Sequence, residues 1–100
     1  MTMRRTIARY TVRPGQEEHN AQLVRAVYRE LAELAPAGFR YATYRLHDGR
    51  TFVHVAEQDD DAPNPLAGIA AFGEFQRAIG ERCEWGPVVG SAELVGRFGD

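Results

Sequence analysis

A ferredoxin-like α+β fold, with elements in the order β-α-β-β-α-β, is what this sequence predicts. Three observations lead there. Two stretches carry apolar residues at helical spacing, and two alternating, aromatic-rich and β-branched stretches lie between them. Asp48-Gly49 separates those alternating stretches and is a preferred pair for a two-residue hairpin turn. One further strand-like stretch stands near each end. Two βαβ-like halves joined by a hairpin give a four-stranded antiparallel sheet with both helices on one face, as a single domain over residues 1–100.

The first strand is expected over Arg5 to Val12, which alternates through Ile7, Tyr10 and Val12; Pro14-Gly15 ends it. Glu17 and Glu18 then suit a helix N-terminus. From Gln16 to Leu34 the residues Leu23, Val27, Leu31 and Leu34, widened by Val24 and Tyr28, form one helical stripe. Arg25, Arg29, Glu30 and Glu33 lie mostly opposite, and Pro36-Ala37-Gly38 stops the helix. Phe39 to Leu46 reads as the second strand and Thr51 to Glu57 as the third. Asp59-Asp60-Asp61 reads as a solvated loop without the alternation of a calcium loop. Asn64-Pro65 is a helix start, Asn capping and Pro in the first turn. Leu66, Ile69, Phe72, Phe75, Ile79 and Cys83 follow on one face, with Gly68 and Gly73 able to split the helix. Gly86-Pro87 ends that region, and Val88 to Phe98 reads as the fourth strand.

The hairpin register sorts side chains by face, because directly opposed residues share one. With Asp48-Gly49 as the turn, His47 opposes Arg50, Tyr44 opposes Val53, Thr43 opposes His54 and Tyr41 opposes Ala56. One face shows Tyr41, Thr43, Arg45, Phe52, His54 and Ala56. The other shows Ala42, Tyr44, Leu46, Val53 and Val55. Two helices cover only one face. A bare Tyr44 alone exposes about 150–250 Å², and with its aliphatic neighbours the patch exceeds what monomers tolerate. A homodimer joined sheet to sheet is therefore expected.

Composition removes several functions. The net charge of −2 gives no long-range attraction to nucleic acid or an anionic membrane. All twelve basic residues are Arg, which excludes a Schiff-base lysine, a P-loop lysine and a Ser–Lys dyad. The single cysteine, Cys83, fits a reducing compartment, and no apolar run approaches the roughly 18 residues of a membrane span. With no signal-peptide pattern at the N-terminus, a cytoplasmic protein is expected. His19, His47 and His54 lack metal-site spacing, so no metal is expected. Ser91 lacks a nucleophile-elbow sequence, and no glycine-rich nucleotide pattern exists.

The element order, the strand ending "VRPG" (Val12 to Gly15), the hairpin "YRLHDGRTFVHVAEQDD" and the helix "AAFGEFQRAIGERCEWGP" resemble the antibiotic-biosynthesis-monooxygenase type of dimeric α/β-barrel protein, over nearly the whole chain. The resemblance implies a protomer that dimerises through its sheet, and a pocket between sheet and helices. It implies cofactor-free oxygenation of aromatic polyketides or quinols, haem degradation, or no known activity. Third strands of this type often read Asn-x-Ala-x-Trp, with Asn and Trp in the pocket. Here His54 stands for the Asn and Gln58 for the Trp. The resemblance also implies that the His54 face meets the helices and the Val53/Val55 face meets the partner.

His54 is the candidate catalytic residue: a neutral imidazole can take a proton from a phenol or enol near neutral pH. A phenolate so formed can reduce O₂ without flavin or metal, so no cofactor is expected. The competing reading is a core histidine bonded to Thr43 or Tyr41. Tyr10, Tyr41 and Thr43 are candidate polar groups for a small aromatic ligand, with Phe52, Phe72 and Phe75 as its apolar wall; core packing explains these aromatics too. Arg45 beside the turn and Trp85 at the core edge are weaker candidates. Cys83, on the apolar face of the second helix, reads as an inert buried thiol. The alternative function is a non-catalytic ligand-binding or stress-response dimer whose interior is filled by Phe72 and Phe75. Haem handling would need an axial ligand, and the second helix has no histidine.

Overall fold

The computed structural model describes residues 3–99. Its elements are β1 (Met3–Val12), α1 (Glu17–Leu34), β2 (Phe39–Arg45), β3 (Thr51–Asp59), a 3₁₀ turn (Pro65–Gly68), α2 (Ala70–Gln76), α3 (Ile79–Arg82) and β4 (Cys83–Ser91). The sheet is antiparallel in the order β2-β3-β1-β4. This is the ferredoxin-like arrangement expected from the sequence.

The hairpin register is as expected, with Tyr44 opposite Val53, Thr43 opposite His54 and Tyr41 opposite Ala56. The turn itself differs. Leu46 and Thr51 close it, the Gly49 amide donates to the Leu46 carbonyl at 2.9 Å, and only Gly49 is left-handed, with φ 76°. A type I′ turn would need Asp48 left-handed as well. Asp48 is instead held as an acceptor: its Oδ1 takes the amides of Arg50 and Thr51 at 2.9 and 2.8 Å. The Thr51 hydroxyl donates to Oδ2 at 2.5 Å, and these three bonds, the hydroxyl's foremost, lower the Asp48 carboxyl to about 2. The loop holds four residues rather than two, yet pairs the same residues, so the face assignment survives.

α1 turns Asn20, Ala21, Val24 and Val27 into the core, while Leu34 at its end is exposed. Glu30, expected on the solvated side, accepts from the amides of Ala70 and Ala71 at 3.2 and 2.9 Å and so caps α2. The second helical region is three pieces. Asn64 caps the 3₁₀ turn through the Leu66 amide, as expected. One break falls beside Gly68, and the other at Ala78, a left-handed residue, rather than at Gly73.

β4 departs most from expectation. It begins at Cys83 and ends at Ser91, so Cys83 belongs to a strand and Trp85 is a half-exposed strand residue under the Arg9 guanidinium. Gly86-Pro87 lies inside the strand, where the register shifts against β1 between Arg9 and Thr11. An edge strand tolerates proline at such a bulge. Gly86 has φ 80°, and a Cβ there would lie 2.8 Å from the Arg9 carbonyl oxygen, so only glycine fits. Thr6 opposes Ser91 and the Ala92 amide still donates to the Arg5 carbonyl at 3.0 Å; in that register residues beyond Leu94 have no part of β1 to pair with, which shortens the expected strand.

Tyr10, Val12, Phe52, His54 and Gln58 are buried on the sheet face beneath the helices. The opposite face carries Ile7, Tyr44 and Val88, all exposed, with Val53 and Val55 half-buried. Among the described residues no helix is long and apolar enough to cross a membrane.

Candidate functional site

The site lies on the helix-facing side of the sheet. His54 sits on β3, flanked by β2 and β1, with Thr43 and Ala8 directly opposite it. Thr6, Ala8 and Ala56 are small where the sheet passes under Phe72, Phe75 and Ile79. The layers therefore do not close, and a cavity of about 310 Å³ remains. His54, Tyr10, Tyr41, Ala56 and Gln58 line it from the sheet, and Phe72, Phe75 and Ile79 from the helices. Gln58 donates to the Ala62 and Pro63 carbonyls, and Arg4 donates to those of Asp60 and Ala62. These bonds fix the loop at one end of the cavity.

His54 is buried and bonded at both nitrogens. Its Nε2 lies 2.8 Å from the Tyr10 hydroxyl. Its Nδ1 lies 2.8 Å from the Tyr41 hydroxyl and 3.0 Å from Thr43 Oγ1, which meets the Tyr28 hydroxyl at 2.8 Å. Among the described residues no carboxylate is bonded to it. Burial alone pushes the imidazole down to about 4, so His54 is neutral at pH 7. Burial likewise raises Tyr10 and Tyr41 above the usual phenol value, so both keep their protons.

Of the residues expected at a site, His54, Tyr10, Tyr41, Phe72 and Phe75 converge on the cavity. Thr43 touches His54 without lining the cavity, and Phe52 stacks on Tyr10 at 5.6 Å in the core without reaching it. Arg45 pairs with Glu18 at 3.3 Å, away from the site. Cys83 is buried, and that burial raises its thiol. Among the described residues no group of three His, Cys, Asp or Glu is placed to hold a metal.

Two residues near the site went unnoticed in the sequence. Asn20 is fully buried and donates from Nδ2 to the Tyr10 oxygen at 2.9 Å. Arg82, also buried, donates from Nε to Asn20 Oδ1 at 3.1 Å and from its other nitrogens to the carbonyls of Phe75 (2.7 Å) and Arg77 (3.2 Å). The signal was in the spacing. Asn20 stands four and seven residues before Val24 and Val27, and Arg82 three after Ile79, each on an apolar stripe.

No protein-family model matches the chain, and no curated protein matches its sequence. Solved structures do match. A protein of Pseudomonas aeruginosa superposes with a TM-score of 0.75 at 22% identity, over 96% of this chain and 97% of its own. A protein of unknown function from Nitrosomonas europaea gives 0.74 at 16%, over 100% and 96%. A structure described as an antibiotic biosynthesis monooxygenase gives 0.68 at 17%, over 95% and 100%. The chain has the antibiotic-biosynthesis-monooxygenase fold. In this fold the stretch His54-x-Ala56-x-Gln58 occupies the inner side of β3, and all three of those side chains line the cavity.

Proposed function

We propose that the chain is a cofactor-free oxygenase of a planar phenolic or quinol compound held in the cavity beside His54. The observation that carries this reading is the convergence of Tyr10, Tyr41 and His54 on a void of about 310 Å³. That is the lower end of the range of ligand pockets, about 300–1,000 Å³. The reaction class is supported by the likeness to an antibiotic biosynthesis monooxygenase, which names no substrate.

A flat ring system would lie between Ala8 and Ala56 on one side and Phe72, Phe75 and Ile79 on the other. His54 offers a neutral ring nitrogen to the phenolic proton, directly or across the Tyr10 hydroxyl, at the cost of charging an imidazole that burial holds to about 4, and Tyr41 orients a substrate oxygen. The resulting phenolate passes an electron to O₂, and the radical pair recombines into a C–O bond. An anthrone-type CH₂ ends as C=O, with one oxygen atom retained and the other released as water. Oxygen uptake over a panel of hydroquinones and anthrones is expected for the wild type. His54→Ala is expected to lower turnover by about 10²-fold or more. Equal rates in the two proteins would remove His54 from the chemistry.

A second reading has its own observation: both ring nitrogens of His54 already have partners inside the protein. In that reading His54 is a structural hub of a non-catalytic ligand-binding or stress-response protein. A wild type that binds a quinol without consuming oxygen would favour it.

The outer sheet face, with Ile7, Tyr44 and Val88 exposed, is best covered by the same face of a second copy. We expect a homodimer in the cytoplasm. Analytical ultracentrifugation at micromolar concentration should show a dimer, and Tyr44→Glu should shift it toward monomer. A wild type that sediments as a monomer contradicts this assembly.

A further inference from the structure

Arg82, Asn20, Tyr10 and His54 form a buried chain whose hydrogen-bond direction is forced from one end. A guanidinium only donates, so Asn20 must present Oδ1 to Arg82 Nε at 3.1 Å. The Asn20 amide nitrogen then faces the Tyr10 oxygen at 2.9 Å and can only donate to it. The Tyr10 proton has one acceptor left within reach, His54 Nε2 at 2.8 Å. Were Nε2 protonated instead, Tyr10 would accept twice and its own buried O–H would have no partner, which burial penalises.

We propose that Asn20 and Arg82 are positioning residues that hold His54 in the Nδ1–H tautomer, its Nε2 lone pair reserved for Tyr10. Nδ1–H then donates between the Tyr41 oxygen and Thr43 Oγ1, at 2.8 and 3.0 Å. The Tyr41 O–H then has Thr43 as its neighbour inside the protein, and turns to a ligand oxygen when one enters the cavity that Tyr41 lines. The consequence, which rests on the function proposed above, is a division of labour. A substrate proton reaches His54 through Tyr10, and Tyr41 donates to a carbonyl or anionic oxygen of the same molecule. The site thereby favours substrates carrying two oxygens, one hydroxyl and one acceptor, over simple phenols.

The test reads the ring and not the turnover. Long-range ¹H–¹⁵N correlation of the full-length protein at pH 7 should show Nδ1 protonated and Nε2 carrying the lone pair. Asn20→Asp should reverse this. A carboxylate accepts from Arg82 and from Tyr10 together, Tyr10 turns its proton away from the ring, and Nε2 becomes the protonated nitrogen. A merely space-filling Asn20 would leave the tautomer unmoved. Tyr10→Phe, which takes away the Nε2 donor, should give both tautomers. An Nε2–H ring in the wild type overturns the proposal, as does a folded Asn20→Asp protein that keeps Nδ1–H. The expected tautomers without any oxygen uptake would leave this inference standing and remove the oxygenase reading, so the two fail separately.

Discussion

Arg82→Met is expected to destabilise the protein by about 3 kcal/mol. The Arg82 side chain is buried and, among the described residues, has no carboxylate partner; three acceptors hold its charge. Two are the Phe75 and Arg77 carbonyls, at 2.7 and 3.2 Å, which the end of α2 leaves without helical partners. The third is Asn20 Oδ1. Met keeps an apolar stem but loses every donor, together with the guanidinium that lies 5.5 Å from the Phe75 ring centre. The unmet acceptors then set the penalty, each costing on the order of 1 kcal/mol or more. Arg82→Lys should recover only part, because one ammonium cannot replace a planar fork aimed at three oxygens. Urea unfolding at unchanged m-value measures this. A loss below about 1 kcal/mol would mean that water reaches those oxygens and that the chain to His54 is not anchored as described.

Acid should weaken the fold through His54. Burial places its folded-state value at about 4, against 6.5 for the free side chain. The folded state therefore binds fewer protons than the unfolded chain between those values, and stability falls as pH drops from about 6.5 to about 4. The gap corresponds to about 3 kcal/mol, fully present above pH 6.5 and gone below pH 4. Tyr10, Tyr41 and Thr43, which face the ring, do not titrate in this window. Carboxylates elsewhere do titrate below pH 5, so the informative quantity is the difference between wild type and His54→Gln. The wild type should lose about 3 kcal/mol relative to the variant as pH falls from about 6.5 to about 4, whichever is the more stable at pH 7. A difference that is independent of pH would show His54 to be solvated.

The architecture was legible because it rests on periodicity. The α1 stripe and the β2–β3 alternation are long, and the register followed from an Asp-Gly turn even though the loop proved to hold four residues. The β4 boundaries were not legible, since Gly86-Pro87 reads as a terminator and only an edge position beside a bulge lets the strand pass through it. Cys83 and Trp85 were misplaced for that reason. At the site, His54, Tyr10 and Tyr41 were visible as polar or amphipathic residues on an inward face. Asn20 and Arg82 were not, because a polar residue on an apolar stripe reads as a flaw until its partner on another element is known. Those partners lie 10 and 62 residues away in sequence.

Ligand binding beside His54 depends on the open space between Ala56 and the phenylalanines of α2. Ala56→Phe fills it from the sheet side without removing any group bonded to His54. Calorimetric titration of wild type and variant with one planar quinol, under nitrogen to exclude turnover, tests it directly. Saturable binding to the wild type is expected, and none to a variant that still folds. Equal affinity in the two proteins, or no binding to the wild type by any quinol of the panel, would contradict it.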